Sequence, residues 1–178
     1  MLRQKGPQQW PYPAMARSSA RRYEDGRFPT ASGKARFWAR PHELIGERTD
    51  DSFPLLLTTG RLISQWHTRT KTGLVPQLNA KDDRSFVSVS PTDAGALSLN
   101  DGQRVDVESR RGAATCELRI DGSVPSGLAF MPIHFNELSG PAASPNEATS
   151  DATDPVSRQP ALKCCAVRIK STRVATSV

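Results

Sequence analysis

Apolar residues occur along this chain in short bursts cut off by turn residues, and most bursts alternate with polar positions instead of recurring at helical spacing. Leu55, Leu56 and Leu57 follow Phe53 and Pro54 as a brief continuous run ending at Gly60, too short for a helix, so residues 53–60 predict a first buried strand. Phe86, Val87 and Val89 predict a second strand ending at Ser90. Alternation then predicts three more. QRVDVES puts Val105 and Val107 on one face, ATCELRI puts Cys116, Leu118 and Ile120 on another, and Leu128 to Ile133 is a further apolar run. CCAVRI closes the order, with Cys165, Val167 and Ile169 sharing a face. Asn100–Gly102, Arg111–Gly112 and Asp121–Gly122 are the turns between them. Strands this short, with so many turns, predict a mainly β fold built as a small closed or nearly closed barrel.

One brief helix interrupts the strands. In SPTDAGALSL, Ser90 suits the cap, Pro91 the first helical position and Asp93 the first turn, where the helix dipole favours a carboxylate. Ser90 and Asp93 have side chains that can touch a ligand, but capping accounts for both. Leu97 and Leu99 return to the core.

Residues 1–50 read differently. Pro7, Pro11, Pro13, Pro29 and Pro41, with Arg and Ser between them, predict an extended arm. Within it, EDGRFPTASGKARFWA has turns at Asp25–Gly26 and Ser32–Gly33 and an alternating Ala35, Phe37, Ala39, which predicts a small β-hairpin. Trp10, Tyr12, Phe28, Phe37 and Trp38 are too many aromatic residues for a purely disordered leader and imply a docking surface. Residues 51–170 are then the barrel domain, and 171–178 a frayed tail.

Two connections stand out. Past Gly60 come Arg61, Gln65, Trp66, His67, Thr68, Arg69, Thr70, Lys71 and Thr72, a density of donors and cations that no core requires. A solvated loop, with Trp66 filling a core edge, explains these residues, and so does a site for phosphate and a heterocycle: arginine offers a planar fork, and hydroxyls and loop amides add donors. Leu74, Val75 and Leu78 are expected to hold this loop down, with residues 81–84 as a solvated turn. The second connection, residues 134–163, is rich in Ser, Pro, Asn and Asp and too long to be incidental.

Composition narrows the picture only a little. Of 178 residues, 37% are hydrophobic, with 14 prolines and 12 glycines, so one compact domain smaller than the whole chain is expected. The net charge of +6 is spread over leader and tail without a basic stripe interleaved with aromatics, which argues against nucleic-acid binding. Cys116, Cys164 and Cys165 form no CxxC, and the vicinal pair, pointing to opposite faces of a strand, is unsuited to a metal. Structural thiols in a reducing compartment, no signal peptide and no membrane span together imply a soluble cytoplasmic protein. His42, His67 and His134 are the only histidines, and none sits in HExxH or near paired carboxylates. His134, beside Phe135 after an apolar strand, is expected at a strand edge, and His67 as a ligand contact. Walker and GxGxxG motifs are absent. The residues speak for binding, with no catalytic residue and no protein ligand to a metal.

Three runs, TTGRLISQWHTRTKT, SPTDAGALSLNDGQRVDVESRRG and SDATDPVSRQPALKCCAVRI, occur in an order that resembles the C-terminal molybdopterin dinucleotide-binding domain of the dimethyl sulfoxide reductase superfamily. The leader, with PQQWPYP and YEDGRFPTASGKARF, is similar to the arm before that domain in bacterial assimilatory nitrate reductases. The resemblance implies a double-psi β-barrel and a bis(molybdopterin guanine dinucleotide) molybdenum cofactor. It implies that Thr59 to Thr68 wrap one pterin dinucleotide, with Gly60 permitting close backbone approach and Arg61, Gln65, His67 and Thr68 as polar contacts. Trp66 and Thr70 belong to the same set. Asn146 and Lys163 match the family's ligand-contacting Asn and Lys, and Phe135 or His134 borders the pocket. The cysteine cluster for an iron–sulfur centre and the molybdenum-ligating residue of longer relatives are not in this chain. The implied role is therefore the cofactor-holding C-terminal portion of a nitrate reductase catalytic subunit, inactive alone, whose partners are the remainder of that subunit and an electron-donor protein or domain. A formate dehydrogenase-like member of the superfamily and a stand-alone binding barrel without catalysis are the alternatives.

Overall fold

A computed structural model describes residues 2–6, 23–39, 41, 46–139 and 143–172. The chain divides into two units, Met1–Glu43 and Leu44–Val178. In the first, a single turn of helix, α1 (Leu2–Lys5), is followed after the undescribed stretch by tight turns. The expected hairpin is not formed: no strand occurs among the described residues of this unit. The Phe28 amide donates to the Gly33 carbonyl (2.9 Å), the Thr30 hydroxyl to the Lys34 carbonyl (2.7 Å), and Tyr23 stacks on Phe28 at 4.8 Å. Pro29 interrupts the strand pairing that Asp25–Gly26 would seed, because it has no amide to give the ladder. Trp10 and Tyr12 lie outside the described residues.

The second unit is built from six strands, β1 (Leu55–Gly60), β2 (Phe86–Val89), β3 (Arg104–Glu108), β4 (Ala113–Ile120), β5 (Leu128–Pro132) and β6 (Cys165–Ser171). They close into a barrel in the order β1-β5-β2-β4-β3-β6. β1 runs parallel to β5 and β2 parallel to β4, and the other four pairings are antiparallel. Two parallel pairs within a closed six-stranded barrel give the double-psi arrangement, and a mainly β barrel with short helices is what the alternation predicts. Every strand of 53–60, 86–90 and onward is present, with no end shifted by more than two residues.

Period-two alternation fills the interior. Leu55, Leu57 and Thr59 point inward from β1, Val105 and Val107 from β3, and Ala114, Cys116 and Leu118 from β4. Met131, Val167 and Val87 meet them in a single buried cluster. Each fully buried aliphatic side chain of this set contributes roughly 2 kcal/mol by leaving water. Burial pushes the Cys116 thiol up to about 12, so it is an apolar filler, as expected of a structural thiol.

Short helices α2 (Pro76–Asn79) and α3 (Pro91–Ala96) sit in the connections. At α3 the Ser90 hydroxyl accepts from the Asp93 amide at 3.0 Å, the cap read from the sequence. The Asp93 carboxylate goes further: it accepts from the Ser126 hydroxyl (2.8 Å) and the Gly127 amide (2.9 Å), tying the helix to the turn before β5. Partial burial opposes its charge, but a bond from the Ser90 hydroxyl to the carboxylate (2.7 Å), together with these two, outweighs that and holds its carboxyl below the usual range.

β6 runs one residue past 170, the expected end of the barrel domain. Ser171 is the last residue of β6, paired with Val105, and its hydroxyl accepts from the Gln103 amide at 2.9 Å. Residues 173–178 lie outside the described residues. Ahead of the barrel, Gly46 and Glu47 lie against the start of β6: the Glu47 amide donates to the Cys164 carbonyl at 3.0 Å, and a Cβ on Gly46 would lie 2.6 Å from that same oxygen.

Candidate functional site

The barrel opens a site where β1 ends. Thr59 is the last inward residue of that strand, 2% exposed, and its hydroxyl donates to the Leu162 carbonyl at 2.8 Å. Its own carbonyl receives the Lys163 ammonium. Residues 159–164 are thereby laid across the end of β1, and the two segments line a half-open cavity of about 550 Å³. Arg61 and Lys163 supply its charge, while Ile133, Pro160, Ala161 and Leu162 give it apolar walls.

Gly60 lines the cavity and also packs against the protein's own side chain. A Cβ there would lie 2.7 Å from the Phe130 ring, so the close approach at Gly60 is made by the protein's own side chain. Cys164 also lines the cavity. It lies before β6 with φ +61°, a left-handed position that is uncommon for a side chain, so Cys164 and Cys165 do not alternate across a strand as their adjacency suggests.

The donor-rich loop after Gly60 is held by its own polar groups. Gln65, 4% exposed, gives its amide to the Leu78 carbonyl (3.2 Å) and accepts from the Thr72 hydroxyl (2.8 Å). It is a brace inside the loop, occupied by protein partners and not presented to a ligand. The Trp66 amide donates to the same Thr72 hydroxyl at 3.1 Å. Leu74 and Val75, expected to hold the loop down by apolar contact, are exposed, so hydrogen bonds do that work instead. Asp82, in the segment read as a solvated turn, accepts from the buried Ser64 hydroxyl.

Trp66 does not fill a core edge. It is exposed, with the Arg61 guanidinium over its ring at 5.0 Å and the His67 ring edge-on at 4.7 Å. Thr68 and Thr70 line a separate hollow of about 310 Å³ with Arg69, Asn136 and Ser139.

His134 is the largest departure from expectation. It is 1% exposed, buried beneath the loop and not at a strand edge. Its Nε2 accepts from the Leu62 amide at 2.8 Å, and its Nδ1 meets the His67 carbonyl at 2.5 Å. Phe135 is buried beside it, with the Arg69 guanidinium 4.9 Å over the ring. Arg69 also donates to Asn79, and its Nε is buried without a hydrogen-bond partner among the described residues. Neither His134 nor Phe135 borders the 550 Å³ cavity; both support the loop from below.

Asn146 sits in a short 3₁₀ turn, Pro145–Glu147, capped by Ser144, and its side chain is exposed outside the cavity lining. What fixes that segment is Arg111, whose guanidinium donates to the Thr149 carbonyl (2.7 Å) and to both oxygens of Glu47 (2.5 and 3.0 Å). The Glu47 carboxylate accepts a further bond from the Ala166 amide at 2.9 Å. The Arg111 hydrogen bond holds the Glu47 carboxyl below its ordinary range against partial desolvation.

Thr59, Gly60, Arg61 and Lys163 are thus brought together from positions a hundred residues apart. Gln65, Trp66, His67, Thr68 and Thr70 form the loop beside them, and Asn146 stands off. Sequence reasoning missed the wall at 159–162 and the bracing role of His134. A polar ring directly after the apolar run ending at Ile133 was the available signal for the latter. Two cations and loop donors against an apolar wall suit a flat heterocycle carrying phosphate.

A family model described as "Molydopterin dinucleotide binding domain" matches residues 55–166. The F420-dependent formate dehydrogenase subunit alpha of Methanocaldococcus jannaschii is 34% identical over 161 residues, covering 90% of this chain and 23% of that protein. The periplasmic nitrate reductase of Desulfovibrio desulfuricans is 38% identical over 138 residues, covering 78% of this chain and 18% of that protein. Among solved structures, acetylene hydratase from Pelobacter acetylenicus superposes with a TM-score of 0.59 at 21% identity, covering 67% of this chain and 18% of that one, a likeness of fold. The chain therefore spans less than a quarter of the length of these relatives.

Proposed function

Because this chain belongs to the molybdopterin dinucleotide-binding domain family, we propose that it is the cofactor-holding C-terminal portion of a larger molybdenum oxidoreductase, with nitrate reduction to nitrite as the reaction served. The observation that carries this reading is the cavity at the end of β1, where Arg61 and Lys163 meet an apolar wall closed by the Thr59 bond to Leu162. Arg61 and Lys163 would hold the phosphates by charge-assisted hydrogen bonds, and Ile133, Pro160 and Leu162 would exclude water from the heterocycle. The exposed Trp66, His67, Thr68 and Thr70 belong to the loop that leaves the cavity at Arg61 and would extend the contact along the dinucleotide. When bound, a bis(molybdopterin guanine dinucleotide) molybdenum centre supplies the two-electron chemistry, and the protein supplies orientation. The iron–sulfur cluster, the residue on the metal and the contact with the electron donor belong to polypeptide outside this chain, so the isolated chain is inactive.

The leader favours nitrate as substrate: PQQWPYP and YEDGRFPTASGKARF are similar to the arm of assimilatory nitrate reductases. A second reading, formate oxidation, is favoured by the 34% identity to a formate dehydrogenase subunit over 90% of the chain. Two measurements test the proposal. Expressed in a host that makes the dinucleotide, the chain is expected to retain a pterin and to release GMP on acid hydrolysis; release of a different nucleotide would overturn the guanine form. Grafted in place of the matching segment of a nitrate reductase and of a formate dehydrogenase, it is expected to support viologen-linked nitrate reduction only. A graft active with formate and silent with nitrate reverses the substrate assignment.

A further inference from the structure

His134 meets the donor loop through both ring nitrogens, and the two bonds dictate its protonation. The Leu62 amide can only donate, so Nε2 is bare; the His67 carbonyl can only accept, so Nδ1 carries the proton. At 1% exposure neither nitrogen has water as an alternative partner. The two groups it holds are five residues apart on the same loop, so one imidazole spans the loop's width.

The loop needs such a brace. His67 and Arg69 have φ of +45° and +64°, left-handed positions that side chains other than glycine rarely hold without support. The Arg69 guanidinium over Phe135 secures the second, and the His134 bond to the His67 carbonyl secures the first.

Both contacts converge on Arg61. Leu62 is its chain neighbour, and Trp66, next to His67, carries the ring over which its guanidinium lies at 5.0 Å. We propose that His134 is a positioning residue: its neutral Nδ1–H tautomer locks the loop so that Arg61 is presented to the phosphate of a dinucleotide before any ligand arrives. This rests on the cofactor reading above, and it adds the residue that prepares the site without touching the ligand. An exposed arginine on an unbraced loop would have to be ordered at the moment of binding, which weakens affinity.

The test uses the 178-residue chain and GDP as probe. A long-range ¹H–¹⁵N spectrum of the labelled wild type is expected to show His134 protonated at Nδ1 and bare at Nε2; the opposite tautomer overturns the proposal. Amide exchange at Leu62 is expected to rise about tenfold in His134→Phe while Val87 and Val105 in the barrel stay protected. In His134→Gln, whose side-chain oxygen can still accept from Leu62, protection at Leu62 is expected to return. Equal Leu62 exchange in wild type and both variants overturns the brace. GDP affinity should fall about tenfold in the Phe variant and recover in the Gln variant; equal affinity in wild type and His134→Phe overturns the positioning role. If His134→Phe does not fold, the wild-type tautomer and the Gln variant still decide. Failure of the wild type to bind GDP, with tautomer and exchange as expected, counts against the cofactor reading and leaves the brace standing.

Discussion

Two polar braces hold segments of the barrel unit that lie outside its hydrophobic core, and they are built on opposite principles. At the start of the barrel unit, Glu47 and Arg111 form a charged clamp joining residues 46–47, the β3–β4 turn, the Thr149 carbonyl and the Ala166 amide. Under the donor loop, His134 makes a neutral clamp with two backbone groups. The charged clamp lies partly in solvent, where ions can be afforded. The neutral one is fully buried, where a charge would be costly. Neither clamp uses Arg61 or Lys163, the cations at the cavity, and neither of these has a carboxylate partner among the described residues.

The sharpest way to break the charged side is Gly46→Ala. Gly46 sits at φ +111°, and its new Cβ would fall 2.6 Å from the Cys164 carbonyl oxygen, so neither rotation nor a flexible neighbour relieves the clash. Chemical denaturation should show a loss of about 3 kcal/mol or more. Glu47→Ala removes the acceptor of three groups and leaves the Arg111 guanidinium half satisfied, at a cost of about 2 kcal/mol by the same measurement. A loss no larger than that of an exposed surface pair would mean that the clamp is ornamental.

Acid sharpens the comparison. The Glu47 carboxyl is held below 4.5 chiefly by the Arg111 hydrogen bond, and that of Glu108 chiefly by Lys170. A carboxyl depressed in the folded state contributes stability that is present above its unfolded pKa and is lost as pH falls through the folded value. Stability should therefore decline below about pH 4.5, and Glu47→Gln should flatten part of that decline in urea titrations across pH 3–6. An unchanged acid slope in the variant would remove Glu47 from the account.

The smallest effect on stability is expected at the site. Arg61→Ala and Lys163→Ala alter exposed side chains and should change unfolding free energy by about 0.5 kcal/mol or less, while cofactor retention by the loaded protein falls severalfold. Stability loss comparable to Glu47→Ala, with full retention, would place both residues in the scaffold instead. Cys116 supplies a control: with its thiol pushed up to about 12 and its side chain in the barrel, it should resist alkylation at pH 8 until the protein unfolds.

Much of the barrel was legible from period-two alternation because that pattern is a local consequence of one face meeting the core. Leu55, Leu57, Val105, Val107, Cys116 and Leu118 all point where their spacing puts them. The Ser90 cap was legible for the same reason, since donor and acceptor are three residues apart. In the arm, local turn signals at Asp25–Gly26 and Ser32–Gly33 produced turns but no strands, because a hairpin also needs a continuous ladder, and Pro29 breaks it.

The sequence by itself determined the strands, their inward faces, the capped helix and the family to which the runs around Gly60 and Lys163 belong. Only the tertiary structure decided which of those residues share a cavity. Lys163 reaches the Thr59 carbonyl across 104 positions, and His134 reaches Leu62 across 72. Such pairings follow from the parallel alignment of β1 with β5 and the return of β6 beside β1, which no local periodicity encodes. The donor-rich loop could be read as a ligand site from its residue types. That Gln65 is spent on the loop itself, that Gly60 makes room for Phe130, and that His134 is the brace beneath them depended on barrel closure, because closure sets which polar groups lose water and must find partners within the protein.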